Sequence, residues 1–196
     1  MKTTMKQKIR NQLLQKRKLQ NKNLQKQRSE TIARHLLESE HFKSANNIGL
    51  YLAVNSEADP ASLRASSHKQ FYLPVLANDE KQGLLFAPSQ ENSEYKSNKF
   101  SIPEPVCPTQ EQLKGEQLDL VVVPLVGFDR HGNRLGMGGG FYDRCFSFKN
   151  KQQSSSPPVL VGFAYALQET KDIKPEDWDV KLDLIVTENG IINCRA

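Results

Sequence analysis

No apolar run in this 196-residue chain approaches the roughly 20 residues that a membrane-spanning helix needs. The N-terminus lacks the apolar core of a secretory signal. Cysteine is scarce: Cys107, Cys145 and Cys194 are odd in number and show no metal-type spacing. The expected compartment is therefore the reducing cytoplasm. There is no internal repeat and no composition break that would mark a second domain. A single domain over residues 1–196 is expected, large enough to bury about 70% of the surface its unfolded chain exposes. The 37% hydrophobic content, with nine Phe and one Trp, supports a packed core.

Acidic residues are missing from one region only. Residues 1–28 contain no Asp or Glu but hold ten of the 27 Lys and Arg. The rest of the chain carries 17 basic residues against 22 acidic ones. The net charge of +5 and the pI near 9.1 thus belong to a basic, helical N-terminal arm, residues 1–28. Such an arm suits nucleic acid or an anionic membrane, a polyanionic small ligand, or a solvated helix face.

The most informative stretch is Asn133 to Arg144, in which Gly136, Gly138, Gly139 and Gly140 fall within five positions. Glycine reaches positive φ without steric cost and lets a ligand approach the backbone. A glycine run can turn successive N–H groups onto one anion. Arg134 precedes the run, and Asp143 and Arg144 follow it. A guanidinium can fork onto phosphate oxygens, and an aspartate can hold the Mg²⁺ that accompanies a nucleotide phosphate. No Gly-Lys-Ser/Thr follows, so the loop is not a Walker A sequence, nor does it fit the dinucleotide fingerprint. Before it, Leu120-Val121-Val122-Val123-Pro124-Leu125 reads as a buried strand. A strand leading into a glycine loop backed by a short helix is where open α/β sheets bind ligands.

Along the chain, helices are expected over 5–19 and 30–43, the second capped by Ser29. A short helix over 60–67 should begin at Asp59-Pro60. Lys6 and Arg10, four apart, share one face of the first helix. Strands are expected at 48–54, 70–76, 83–87, 120–125, 159–166 and 182–187, with a helix over 141–148. Residues 88–118 read as a long polar connection, and such stretches are usually functional or mobile. Residues 129–132 read as a tight turn, in which His131 is a turn residue. The alternation of strands and short helices gives an α/β fold with a mostly parallel sheet.

Several motifs recur together in one known family. They are Lys6-x-x-x-Arg10; Leu52 followed by Glu57; Pro103-Glu104-Pro105; Gly127-Phe128-Asp129-x-x-Gly132-x-Arg134-Leu135-Gly136-x-Gly138-x-Gly140-Phe141-Tyr142-Asp143-Arg144; and Asp179, Asp183 and Thr187-Glu188. In this order they resemble the 5-formyltetrahydrofolate cyclo-ligases over nearly the whole chain. The resemblance implies a layered α/β fold akin to sugar-phosphate isomerases and CoA transferases. It implies the ATP-dependent conversion of 5-formyltetrahydrofolate, with or without a polyglutamate tail, to 5,10-methenyltetrahydrofolate with release of ADP and phosphate. It assigns Lys6, Arg10, Arg134, Leu135, Gly136, Met137, Gly138, Gly139, Gly140, Phe141 and Tyr142 to ATP, with Arg134 and Tyr142 as catalytic candidates. Leu52 and Glu57 map to the folate, and Asp143 and Asp179 to Mg²⁺. A monomer that engages neither nucleic acid nor membrane is implied. Two positions depart from the pattern: Trp178 stands where many relatives have His, and Gly139 where some have Lys.

The chemistry suits these residues. A formyl oxygen is a poor leaving group until it is phosphorylated, after which the second folate nitrogen can close the ring. The protein then needs to position two substrates and neutralise charge on the transferring phosphoryl group, with no side-chain nucleophile. No catalytic triad is evident, and Cys145 reads as a buried filler. Two rivals remain: a nucleic-acid-binding protein, for which no zinc-finger or RNP motif is found, and another ATP-dependent kinase or ligase of the same fold.

Overall fold

The computed structural model of the chain describes residues 4–66, 68–77, 79, 83–151, 156–171 and 173–195. The expected end of the 60–67 helix and residues 152–155 of the 149–158 loop lie outside them. A seven-stranded sheet forms the centre, in the order β11-β10-β9-β6-β1-β2-β3. Its strands are β1 (Asn47–Gly49), β2 (Gln70–Leu76), β3 (Leu84–Pro88), β6 (Leu120–Val123), β9 (Val159–Phe163), β10 (Leu184–Thr187) and β11 (Gly190–Asn193). The five inner strands run parallel, and β3 and β11 pair antiparallel at the two edges.

The sheet is covered on both faces, which is why β6 reads Leu-Val-Val-Val without polar alternation. Leu120 and Val122 pack on one side with Ile32, Leu36, Ile48 and Phe163, whereas Val121 and Val123 pack on the other with Phe86, Leu125, Phe146 and Leu160. Helix α2 (Lys22–Glu38) covers the first face through Ile32, Ala33 and Leu36. Helix α1 (Met5–Lys18) places Ile9 and Leu13 in a smaller core with Val126, Leu135 and Ile173. The short α3 (Glu40–Ser44) sets Phe42 under α2.

Several expectations are corrected. The basic segment 1–28 is not an appended arm: from Met5 it forms α1 and the first turns of α2, and both pack onto the body. Helix α2 begins at Lys22 with Asn21 as its cap, eight residues before the expected start. Ser29 is buried within it, its hydroxyl returned to the Gln25 carbonyl (2.8 Å). Packing of the apolar face thus extends a helix that propensity and cap signals would have started later. The strand expected over 48–54 ends at Gly49; Leu50 still gives its N–H to the Tyr72 carbonyl, and the chain then runs out of the sheet to a turn where Asn55 and Ser56 take positive φ. The helix expected from 60 is a 3₁₀ turn, Ala61–Ala65, with Pro60 at the cap position; Asp59 accepts from the Ala61 N–H instead (3.0 Å). The strand expected from 182 begins at Leu184, and β11 was not anticipated.

The connection 88–118 is not structureless. It contains the ribbon β4 (Tyr95–Ser97) with β5 (Pro103–Pro105) and two 3₁₀ turns at Thr109–Glu111 and Gly115–Gln117. Glu104, buried between two prolines, accepts from the Leu76 N–H and from Asn98, stapling the ribbon to the end of β2. Asp183 has a similar role, its carboxylate accepting the Leu160 N–H and pairing with Lys149 and Arg195.

Candidate functional site

The strand order reverses between β1 and β6: from β1 the chain proceeds to β2 and β3, and from β6 it proceeds the other way to β9, β10 and β11. Ligands of open α/β sheets bind outside the carboxyl ends of the strands at such a switch point. The two segments leaving these ends are Leu50–Asp59, which carries Leu52 and Glu57, and 124–140, which carries the glycine loop.

That second segment folds back as the ribbon β7 (Gly127–Phe128) with β8 (Arg134–Leu135), closed by the 129–132 turn. Asp129 accepts the His131 and Asn133 N–H groups, and Gly132 has φ of 82°. The glycine loop follows. Gly138 and Gly140 have φ of 97° and 64°, conformations that a side chain resists. Gly136 is different: its φ is ordinary and a Cβ there would meet nothing within 4 Å. The fold does not require glycine at that position; open space lies in front of it.

Two guanidinium groups hold the loop, and a third braces the helix that follows it. Arg10 Nε donates to the Gly136 carbonyl (2.8 Å). Arg144 Nη1 donates to the Gly139 carbonyl (2.9 Å) and its guanidinium lies over the Phe141 ring. Arg134, its side chain only 7% exposed, pairs with Asp143 Oδ1 (2.6 Å) and also donates to the Val180 carbonyl. Asp143 Oδ1 accepts the Val180 N–H as well (3.1 Å). Arg134 is thus directed onto Asp143 and not toward open solvent. Asp143 lies on the first turn of α4 (Phe141–Cys145), and Gly140 is its cap residue. A cleft of about 430 Å³ opens here, lined by Gly138, Gly139, Gly140, Asp143, Arg144, Ser147, Asn150 and Trp178.

Residues 176–179 border the cleft as a closed turn: Glu176 N–H donates to Asp179 Oδ2 (2.9 Å) and Asp179 N–H to the Glu176 carbonyl (3.0 Å). Lys6 reaches it from α1, 2.8 Å from Glu176 and 3.7 Å from Asp179. Lys6 and Arg10 therefore tie one helix face to the two walls of the same cleft. Met137 stands exposed at the loop's tip. Among the described residues no group of three or more His, Cys, Asp or Glu could hold a metal ion. A Mg²⁺ ion carried by nucleotide phosphates needs only one or two carboxylates. Asp143, on the cleft wall, and Asp179, beside it, fit that requirement.

On the other side of α4 lies a second environment. Tyr142 is packed inward, and burial raises its pKa, with Cys145 and Glu57 adding to the rise and Arg134 opposing it. Glu57 Oε2 accepts the Val54 N–H (3.0 Å), and burial holds its carboxyl above the usual range against that hydrogen bond and Arg17. Arg17 is the residue that sequence reasoning missed. It is 1% exposed, donates to the carbonyls of Leu125 (3.2 Å) and Asn55 (3.0 Å), and lies 3.9 Å from Glu57 Oε1. It joins the segments leaving β6 and β1 across the switch point. The available signal was its position, seven after Arg10 and so on the same helix face. Tyr51 completes the group, its phenol donating to the Ala58 carbonyl and its pKa raised well above normal by burial and the Glu57 charge. Leu52 packs at the margin of the core nearby in sequence. Cys145 is withdrawn from chemistry: its thiol points to the Leu84 carbonyl (3.4 Å) and burial pushes it up to about 12.

Fold and site together define an α/β protein with a glycine-lined cleft at the carboxyl edge of a parallel sheet, where open α/β sheets take their ligands. Residues 2–188 match the 5-formyltetrahydrofolate cyclo-ligase family. The 5-formyltetrahydrofolate cyclo-ligase of Haemophilus influenzae is 38% identical over 190 residues, covering 95% of this chain and all of that protein. That of Escherichia coli is 35% identical over 150 residues, covering 75% and 80%. Among solved structures, the 5,10-methenyltetrahydrofolate synthetase of Aquifex aeolicus superimposes with a TM-score of 0.82 at 27% identity, covering 98% of this chain and 94% of that one. The Mycoplasma pneumoniae synthetase shares the fold, with a TM-score of 0.70 at 24% identity over 94% and 99% of the chains. The chain belongs to the 5-formyltetrahydrofolate cyclo-ligase family, and it is an enzyme of that ligase class.

Proposed function

We propose that this enzyme phosphorylates the formyl oxygen of 5-formyltetrahydrofolate from Mg-ATP and that the second folate nitrogen then closes the ring, giving 5,10-methenyltetrahydrofolate, ADP and phosphate. The observation that carries this reading is the pair Tyr142 and Asp143. Neighbours on α4, they face different surroundings: Asp143 lines the glycine cleft, whereas Tyr142 packs against the core. ATP phosphates in the cleft and a pterin at Glu57 would meet at the glycine loop that begins this helix, where phosphoryl transfer needs the formyl oxygen in direct contact with the γ-phosphorus.

In this reading the backbone amides of residues 136–140 receive the phosphates, while Arg10 and Arg144 hold the loop open. Lys6 leaves its carboxylate partners for a phosphate oxygen. Asp143 and Asp179 would hold Mg²⁺, which neutralises charge on the transferring group. Arg134 is a positioning residue that fixes Asp143, and half-buried Tyr142 remains a protonated phenol facing the folate. Glu57 accepts from pterin N–H groups, and Leu52 packs against the ring. Four of the ten basic residues before Ser29 are committed to the body: Lys6 on Glu176, Arg10 on Gly136, Arg17 inside, and Arg28 on Glu188 (3.2 Å). That favours a small anionic ligand over nucleic acid. No helix among the described residues is long and apolar enough to cross a membrane, and the enzyme acts as a monomer in the cytoplasm.

Isotopic oxygen in the formyl group tests the mechanism. The label is expected in released phosphate, one phosphate per methenyl product. Product formation with label absent from phosphate would refute formyl phosphorylation and leave the ligase activity standing.

A further inference from the structure

Trp178 is the chain's one tryptophan and is 67% exposed. Its surroundings are nevertheless rigid. The 176–179 turn is closed by two hydrogen bonds, and Lys6 ties it to α1. The next residue, Val180, gives its N–H to Asp143 and its carbonyl to Arg134. The indole is therefore held in register with the cleft that it lines. The opposite wall is the glycine loop, and Ser147 and Asn150 complete the lining. The two positions that depart from the family pattern, Gly139 and Trp178, both line this cleft.

This arrangement has two chemical ends. Backbone amides and Asp143 suit polyphosphate with its metal. An exposed indole face beside an amide and a hydroxyl suits a flat heteroaromatic ring with hydrogen-bonding edges. A cleft of about 430 Å³ falls within the range of small-ligand sites, roughly 300–1,000 Å³. We propose that Trp178 is the stacking platform for the nucleotide base in this cleft. The inference rests on the Mg-ATP reading above. Stacking is indifferent to which base presents its face, so the site takes purine nucleotides with modest discrimination among them.

Because Trp178 is the sole tryptophan, its emission reports on the site directly. Mg-ATP should quench it, and Mg-tripolyphosphate should bind without doing so. Trp178→Ala should weaken Mg-ATP binding, measured by calorimetry, about tenfold, with Trp178→Tyr restoring most of it. Tripolyphosphate affinity and melting temperature should be unchanged in both variants. Equal Mg-ATP affinity in Trp178→Ala and wild type would overturn the platform while leaving the nucleotide site intact. A rise confined to the Michaelis constant for 5-formyltetrahydrofolate would also overturn it and assign the indole to the pterin. If neither Mg-ATP nor tripolyphosphate binds the wild-type protein, the nucleotide reading itself falls, and this inference with it.

Discussion

Replacing Arg17 by Met removes a buried cation and keeps most of its volume. At 3.9 Å from Glu57, the lost attraction is about 4 kcal/mol at an effective dielectric near 20, in line with the roughly 3–5 kcal/mol typical of breaking a buried pair. The hydrogen bonds to Leu125 and Asn55 are lost as well, so total destabilisation alone would not isolate the charge effect. Its pH dependence does. Glu57 already titrates higher in the folded chain than in the unfolded one, because burial disfavours the carboxylate. Between those two values the folded state binds the proton more tightly, so stability falls as pH rises through that window. Without Arg17 the folded value rises further, so the window in which stability falls with pH widens. Below the unfolded value, near pH 4, both states are protonated and Arg17→Met loses only its carbonyl bonds. Urea unfolding between pH 4.5 and 8.5 should therefore show a cost that grows with pH. In a Glu57→Gln background the same substitution should cost about 4 kcal/mol less at pH 8, because the attraction is already absent. A cost that is flat with pH and identical in both backgrounds would show that Arg17 acts only as a hydrogen-bonded brace.

Gly136→Ala should leave the melting temperature within about 1 °C, since its Cβ enters open space at an ordinary φ, yet should raise the Michaelis constant for ATP several-fold by crowding the phosphates; unchanged kinetics would mean that the loop does not face them. Asp143→Asn should lower stability by roughly 1–3 kcal/mol, leaving buried Arg134 without its counter-charge. It should also abolish the extra thermal stabilisation that ATP gains from Mg²⁺. A variant that keeps the wild-type response to Mg²⁺ would remove Asp143 from the metal site.

Local pattern alone settled much of this molecule. The unbroken apolar run at 120–123 required a strand covered on both faces, because every side chain on it needs a dry neighbour. The helical spacing of Ile9 and Leu13, and of Ile32 and Leu36, established which faces of α1 and α2 turn inward. The glycine run with its charged flanks marked the cleft, since few local sequences expose so much backbone. The family motifs were legible too, but they are of two physical kinds that sequence cannot separate. Glu104 and Asp183 staple the fold, whereas Gly138 and Asp143 line the cleft.

Tertiary structure decided the rest, because it brings together residues remote in the chain. Only the strand order shows that β1 and β6 flank a switch point. Only packing shows that Arg17 spans it to reach Glu57, and that Arg134 is directed onto Asp143 and not outward. Trp178 reads in sequence as a mere departure from a pattern; the turn that Lys6 and Val180 pin in place makes it a wall of the cleft. A sequence pattern registers which faces must be dry, through periodicities of a few residues. The meeting of charges more than a hundred residues apart depends on chain topology, which no local periodicity encodes.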